Sequence, residues 1–261
     1  MRELTPIHPA PPVRRDMDIM ANRLPSTPSL SGETLGLRFD DGVTLTMAFS
    51  ADKVRWMMRR DSAPNLQGED PYDAVEIRSD IFFVDFALPD GSMAFSHVID
   101  RARGRALSVW NEIVAQEGTP DLRTSLLPAV VAGHAPPGEP IAETRELLGK
   151  RLFCEYSPDA ALEHIYVNSS TLVWQWLLGP PELATEVGIE AVSMWKIRDR
   201  LYLIAARGPE PILLTLLLDL QGMRNVGRLF GRNRFGRVDR RCGAKITFLG
   251  EFAYPDGYEP G

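Results

Sequence analysis

The segment 161–176, ALEHIYVNSSTLVWQW, concentrates side chains that can move protons and hold an organic acid. Glu163, His164 and Tyr166 offer a carboxyl, an imidazole and a phenol. Histidine changes its charge nearest neutral pH, and any of the three groups, once positioned, can act as a general acid or base. Trp174 and Trp176 add flat apolar surface on which an aromatic ring can stack. Tyr156, in GKRLFCEYSPDAA, brings a second phenol. Such a set suits proton transfer on an aromatic or carboxylate-bearing ligand, with His164, Tyr166, Tyr156 and Glu163 as catalytic candidates. Whether they meet depends on strand geometry, because strand side chains alternate between two faces.

The elements that must position them read as strands. From about residue 30 the chain is made of short runs rich in Val, Ile, Leu, Phe and Tyr. Turn signals break them, such as DDG at 40–42, LPDGS at 88–92, NSS at 168–170 and IRDR at 197–200. That pattern predicts an antiparallel all-β protein. PDLRTSLLPAVVA (120–132) predicts a short helix, PPELATEVG (180–188) a second, and GHAPPGEPI (133–141) a linker. The second half also overlays the first. GETLGLRFDDG, from Gly32, matches GKRLFCEYSPD, from Gly149; Trp56 falls on Trp174, and Asp100 on Asp219. A nearly constant offset over several strands indicates two copies of one meander. Each copy has enough strands for a closed barrel, which leaves no exposed edge. The expected organisation is a proline-rich arm (1–29), a first barrel (30–115), a linker with a short helix (116–145) and a second barrel carrying the ligand site (146–261).

In the first copy Leu45, Met47 and Phe49 share the apolar face of TLTMAFS, which should be the interior. The overlay puts Leu162, His164 and Tyr166 on those inward positions and Glu163 on the outward one. Tyr156 takes the place of Phe39, and Cys154 that of Leu37. Trp174 and Trp176 share parity with Leu172 and should line the same interior. Blander readings stand beside these: an inward histidine bonded to a tyrosine hydroxyl, tryptophans that are only core, and a solvated Glu163. A one-residue slip at a bulge would turn Glu163 in and His164 out. Further candidates for substrate contact are Trp195 and Tyr202, in MWKIRDRLYLIAAR, and Arg207 at the end of that run, which could hold a carboxylate. Asp85 and His97 flank one hairpin turn and could approach across it, as a functional acid–histidine pair or, more simply, as a hydrogen bond that pins the register.

The net charge is −6, which disfavours nucleic acid as a partner. The arginines of GRLFGRNRFGRVDRR (227–241) read as paired with carboxylates. No apolar run suits a bilayer and no export signal is legible, so a cytoplasmic location, with Cys154 and Cys242 as free thiols, is expected. The carboxylates and histidine of EYSPDAALEH diverge in direction, so no metal is expected. GxSxG, phosphate-loop, GxGxxG and HExxH patterns are missing, and no cofactor is expected.

The stretches LLGKRLFCEYSPDAALEHIYVNSSTLVWQWLLGP, MWKIRDRLYLIAAR, LLDLQGMRNVGRLFG, LSGETLGLRFDDG and DIFFVDFALPDG resemble the family of molybdenum cofactor biosynthesis protein F, over roughly residues 30–255. The resemblance implies two calycin-like (lipocalin-type) barrels, distantly similar to phenolic acid decarboxylases. Those enzymes remove CO2 from hydroxycinnamates without a cofactor, using paired tyrosines, an arginine and a glutamate. Tyr156, Tyr166, Arg207 and Glu163 supply those residue types here. The expected function is a cofactor-independent lyase, a decarboxylase of a small phenolic or aromatic acid of the lignin-derived kind. The alternative is a non-catalytic binder or carrier of an aromatic metabolite or pterin. The expected partner is a small aromatic ligand, and a homodimer or a dimer with a related subunit stays open.

Overall fold

A computed structural model describes residues 17–61, 64–116, 119–134, 139–184, 186–233, 235–255, 257 and 260. The first eight strands are β1 (Thr34–Phe39), β2 (Thr44–Phe49), β3 (Lys53–Arg59), β4 (Leu66–Arg78), β5 (Ile81–Ala87), β6 (Met93–Asp100), β7 (Arg105–Gln116) and β8 (Thr119–Val131). They form an antiparallel meander that closes through pairing of β1 with β8. Alternation drives the closure. In β3, Val54, Trp56 and Met58 are buried while Lys53, Arg55 and Arg59 are exposed. Met47, Phe49, Trp56, Phe86 and Phe95 then fill the interior.

After β9 (Ala142–Glu143) come β10 (Lys150–Ser157), β11 (Ala160–Asn168), β12 (Thr171–Leu178), β13 (Val187–Arg198), β14 (Leu201–Arg207), β15 (Ile212–Asp219), β16 (Arg224–Asn233) and β17 (Gly236–Glu251). These eight close a second barrel through the β10–β17 pairing, and β9 adds to the side of β13. The fold is thus all-β, two tandem barrels built from one repeat. The repeat extends to detail. Gly32 and Gly149 hold φ of 85° and 77°, and their amides donate to the carbonyls of Phe49 and Tyr166, which the overlay makes equivalent. Further along, strand pairing sets Arg78 on Arg198 and Ile81 on Leu201, one residue beyond the linear overlay.

Two expectations are corrected. Residues 120–132 form no helix. Residues 120–131 belong to β8, so the first barrel runs past 115 into the segment read as linker. Without β8, β7 and β1 would each present an unpaired edge. The predicted helix at 180–188 reduces to a single 3-10 turn, Pro181–Leu183, before β13 begins. Of the proline-rich arm, residues 1–16 lie outside the described residues. Residues 17–29 wrap both barrels: the amide of Asn22 donates to the carbonyl of Tyr156, that of Thr27 to Ala74, and Arg23 pairs with Asp73.

The barrels meet through an apolar layer formed by the outward faces of β5–β7 and β14–β16, including Ile81, Phe83, Val98 and Leu107 against Leu201, Leu203, Leu217 and Val226. No helix among the described residues is long and apolar enough to cross a membrane.

Candidate functional site

Alternation places the chemistry of the second barrel. Leu152, Cys154 and Tyr156 of β10, Tyr166 of β11 and Leu172 of β12 belong to one interior cluster, with Leu162 and Trp176 packed against it. His164 has the parity of Leu162 and Tyr166, is buried, and is directly opposite Trp174 on β12 and Leu152 on β10. The bulges in β11 fall outside 162–166, so that stretch keeps its parity. Where the first barrel has Leu37, Phe39, Met47 and Phe49, the second thus has Cys154, Tyr156, His164 and Tyr166.

Three polar atoms of this interior, His164 Nδ1, Tyr166 Oη and Trp176 Nε1, are buried and have no hydrogen-bond partner among the described residues. Each unmet group costs about 1–3 kcal/mol. The indoles of Trp174 and Trp176 stand edge to face, centroids 6.5 Å apart at 81°. Trp174 Nε1 donates to Glu190 Oε1 at 2.9 Å.

Glu190 is not among the site residues expected from the sequence. It lies on β13 with the inward parity of Val192 and Met194, across from Leu172. Its neighbour on that face, Gly188, leaves room for the indole: a Cβ there would fall 2.1 Å from the Trp174 ring. The first barrel repeats the arrangement. Trp56 lies opposite Gly68, whose Cβ would fall 2.9 Å from the ring, and Trp56 Nε1 donates to Asp70 Oδ2 at 2.7 Å. The legible signal was therefore Gly-x-acid after the tryptophan strand, GED at 68–70 and GIE at 188–190.

Burial sets the protonation states. It lowers the pKa of His164 to about 4, so the imidazole is neutral near pH 7. It raises Tyr166 and Tyr156, and pushes the thiols of Cys154 and Cys242 up to about 12. Burial also raises Glu190, while the hydrogen bond from Trp174 opposes that shift.

The other candidates lie elsewhere. Glu163 faces outward, as its parity requires, yet it is buried: Arg151 Nε donates to Oε1 at 2.5 Å and Gln175 Nε2 to Oε2 at 2.6 Å. The Arg151 bond holds its carboxyl low, so it is a fixed anion of the outer wall and takes no part in the interior. Trp195 has the opposite parity to Met194. It packs on the layer between the barrels, with Nε1 donating to Ser193 Oγ at 2.9 Å. Arg207 also faces that layer, and it holds Asp121 and, at 2.8 Å, the carbonyl of Leu122. It cannot serve a carboxylate inside the barrel. Tyr202 does face inward, but from the opposite end to Trp176. Its hydroxyl donates to Glu146 Oε2 at 2.8 Å beside a cleft of about 380 Å³ lined also by Lys150, Arg200 and Phe248.

Asp85 and His97 do not approach each other. His97 points into the first barrel, stacked on Phe95, with Nδ1 2.7 Å from Ser108 Oγ. Asp85 points out of it, to Arg228 and Arg241 of the second barrel at 2.9 Å each. The two residues sit on adjacent strands, but their side chains alternate to opposite faces.

Two barrels with one strand order, and with the same tryptophan–glycine–carboxylate unit in each, frame the comparison with known proteins. Residues 18–115 match the MoaF N-terminal domain, and residues 141–252 match the MoaF C-terminal domain. The chain belongs to the MoaF family. A relative, "Protein MoaF" of Klebsiella aerogenes, is 30% identical over 174 residues, which is 62% of this chain and 66% of that protein. The chain thus spans just under two thirds of that relative's length. A crystal structure from Burkholderia vietnamiensis, provisionally described as a beta-lactamase, aligns over 42% of this chain and 97% of its own, at 18% identity and a TM-score of 0.33.

Proposed function

We propose that the second barrel takes a small phenolic or aromatic acid between Trp174, Trp176, Tyr156 and Tyr166 and acts on it as a cofactor-independent decarboxylase. One observation carries the reading: the unpartnered polar atoms of His164, Tyr166 and Trp176 face one aromatic interior. A phenol or carboxylate oxygen would accept from Tyr166 and Trp176, and the neutral imidazole would complete the set. Neither these three nor Tyr156, Trp174 and Glu190 is a cation near neutral pH. A carboxylate placed among them therefore has no counter-charge from the set, and its loss as uncharged CO2 relieves that cost. The carbon–carbon bond to the carboxylate breaks, its electron pair stays on the substrate carbon, and that carbon takes a proton. Glu190, whose acid form burial favours, is the donor, and solvent returns the proton to it. His164, whose pKa is about 4, orients the ligand and does not supply the proton.

A second reading, a non-catalytic carrier of the same ligand class, is favoured by the neutrality of the tyrosines and the imidazole. A panel of hydroxycinnamates, followed by absorbance, CO2 release and tryptophan fluorescence, separates the two. The lyase requires turnover that Glu190→Gln abolishes while binding persists. Binding without turnover supports the carrier. Tyr166→Phe removes an unmet hydroxyl, so it should raise the stability of the empty protein by about 1 kcal/mol and weaken binding about tenfold. Loss of stability with unchanged binding would sink the site.

A further inference from the structure

The two barrels contact each other as a two-fold dimer would. Arg78, ending β4, donates from Nη2 to Asp219 Oδ1 at 2.6 Å, at the end of β15. Arg198, its equivalent at the end of β13, donates from Nε and Nη2 to the two oxygens of Asp100 at 2.5 Å, at the end of β6. The aspartates are equivalent: each lies opposite the first residue of the preceding hairpin, Ile81 or Leu201, and each accepts the amide three residues on, from Arg103 or Gly222. Reciprocal contact of this kind, i with j and j with i, marks an isologous interface. The apolar layer follows the same rule, with Ile81, Phe83, Val98 and Leu107 equivalent to Leu201, Leu203, Leu217 and Val226.

One buried contact breaks the symmetry. Asp85 accepts from Arg228 Nη1 at 2.9 Å. By strand register Asp85 is equivalent to Ala205, and Arg228 to Val109. The interface thus holds an ion pair at these positions, while the equivalent positions across the pseudo-axis carry an alanine and a valine. Asp85 is fully buried, and Arg241 is its second partner.

From this we infer that the outer face of β5–β7 is a recognition surface that admits only a barrel of the other type, and that Asp85 with Arg228 sets the choice. Two N-terminal barrels facing each other would keep the Arg78–Asp100 pairs. They would also bury Asp85 twice against Val109, stripped of both guanidiniums. Two C-terminal barrels would each keep Arg228 on Asp239, but would set its Nη1 against Ala205. The ion pairs common to all pairings supply affinity; the buried unmatched pair of Asp85 and Arg228 excludes self-pairing. The fitting partner is a barrel carrying a guanidinium at the position of Arg228, supplied here by the same chain.

The test uses the full chain with a protease site inserted between His134 and Glu139. The purified protein is cleaved, mixed with an isotopically heavy copy and weighed by native mass spectrometry. Complexes of one N-terminal and one C-terminal half should exceed self-pairs by about a hundredfold or more. In Asp85→Ala/Arg228→Val, which copies the alanine–valine side, N-terminal self-pairs should rise to at least about a tenth of the total. Asp85→Asn keeps the shape, removes the charge and should move the ratio the same way if the double variant does not fold. The inference fails if the cleaved wild-type halves separate as monomers, if self-pairs match mixed pairs, or if neither variant shifts the ratio.

Discussion

His164 and His97 occupy opposite barrels, yet burial treats them alike: it lowers the imidazole of His164 to about 4 and that of His97 to about 3. An unfolded histidine titrates near 6.5. Below that pH the unfolded chain binds protons that the native interior refuses, so stability falls as the solution is acidified from about 6.5 toward 4. Each ring contributes a slope of up to about 1.4 kcal/mol per pH unit. Urea unfolding between pH 6.5 and 4.5 should show the slope, and His164→Gln or His97→Gln should each flatten it. A profile unchanged in both variants would mean that the rings reach water. Glu190 acts in the other sense: its folded pKa is raised, so the stability it adds is lost as pH rises through that value. Alternation in ALEHIYVN was enough to place His164 and Tyr166 inside. Glu190 was hidden because β13 begins with the rule inverted, Val187 and Ile189 being 51% and 67% exposed while Gly188 and Glu190 face in.

At the scale of the element, the unit of tryptophan, glycine and acid ties β12 to β13 and β3 to β4. Gly188→Ala would place a methyl where the Trp174 indole lies, pushing the ring off Glu190. The expected cost is about 1–3 kcal/mol, with ligand binding weakened as well. Gly68→Ala meets Trp56 at a looser 2.9 Å and should cost less, leaving the second barrel's ligand in place. Thermal melts and fluorescence titration of both variants check this, and equal effects on binding would show that the unit is only structural. The sequence of β8 reads as a helix for a physical reason. In PDLRTSLLPAVVA, Leu122, Leu126, Leu127, Ala129 and Val131 fit a helical stripe about as well as a strand, because short apolar runs do not fix a period. The open edges of β7 and β1 decide the matter, and they are far away in sequence.

At the scale of the whole molecule, ion pairs between the barrels differ by burial. Arg198→Ala strands Asp100, which is buried, and should cost about 3–5 kcal/mol. Arg207→Ala frees Asp121 at a solvent-accessible position and should cost far less. Chemical denaturation of the two variants measures the difference, and equal losses would mean that the Arg198 pair is solvated. The sequence by itself determined that there are two copies of one barrel and which side chains of β10 to β12 face inward. A period of two converts residue order directly into faces, and the repeat confirms each assignment against its counterpart. Only the tertiary structure decided what Asp85, Trp195, Arg207 and Arg228 do. Their side chains leave the barrel wall, and nothing local in the chain says whether water or a second barrel lies beyond it.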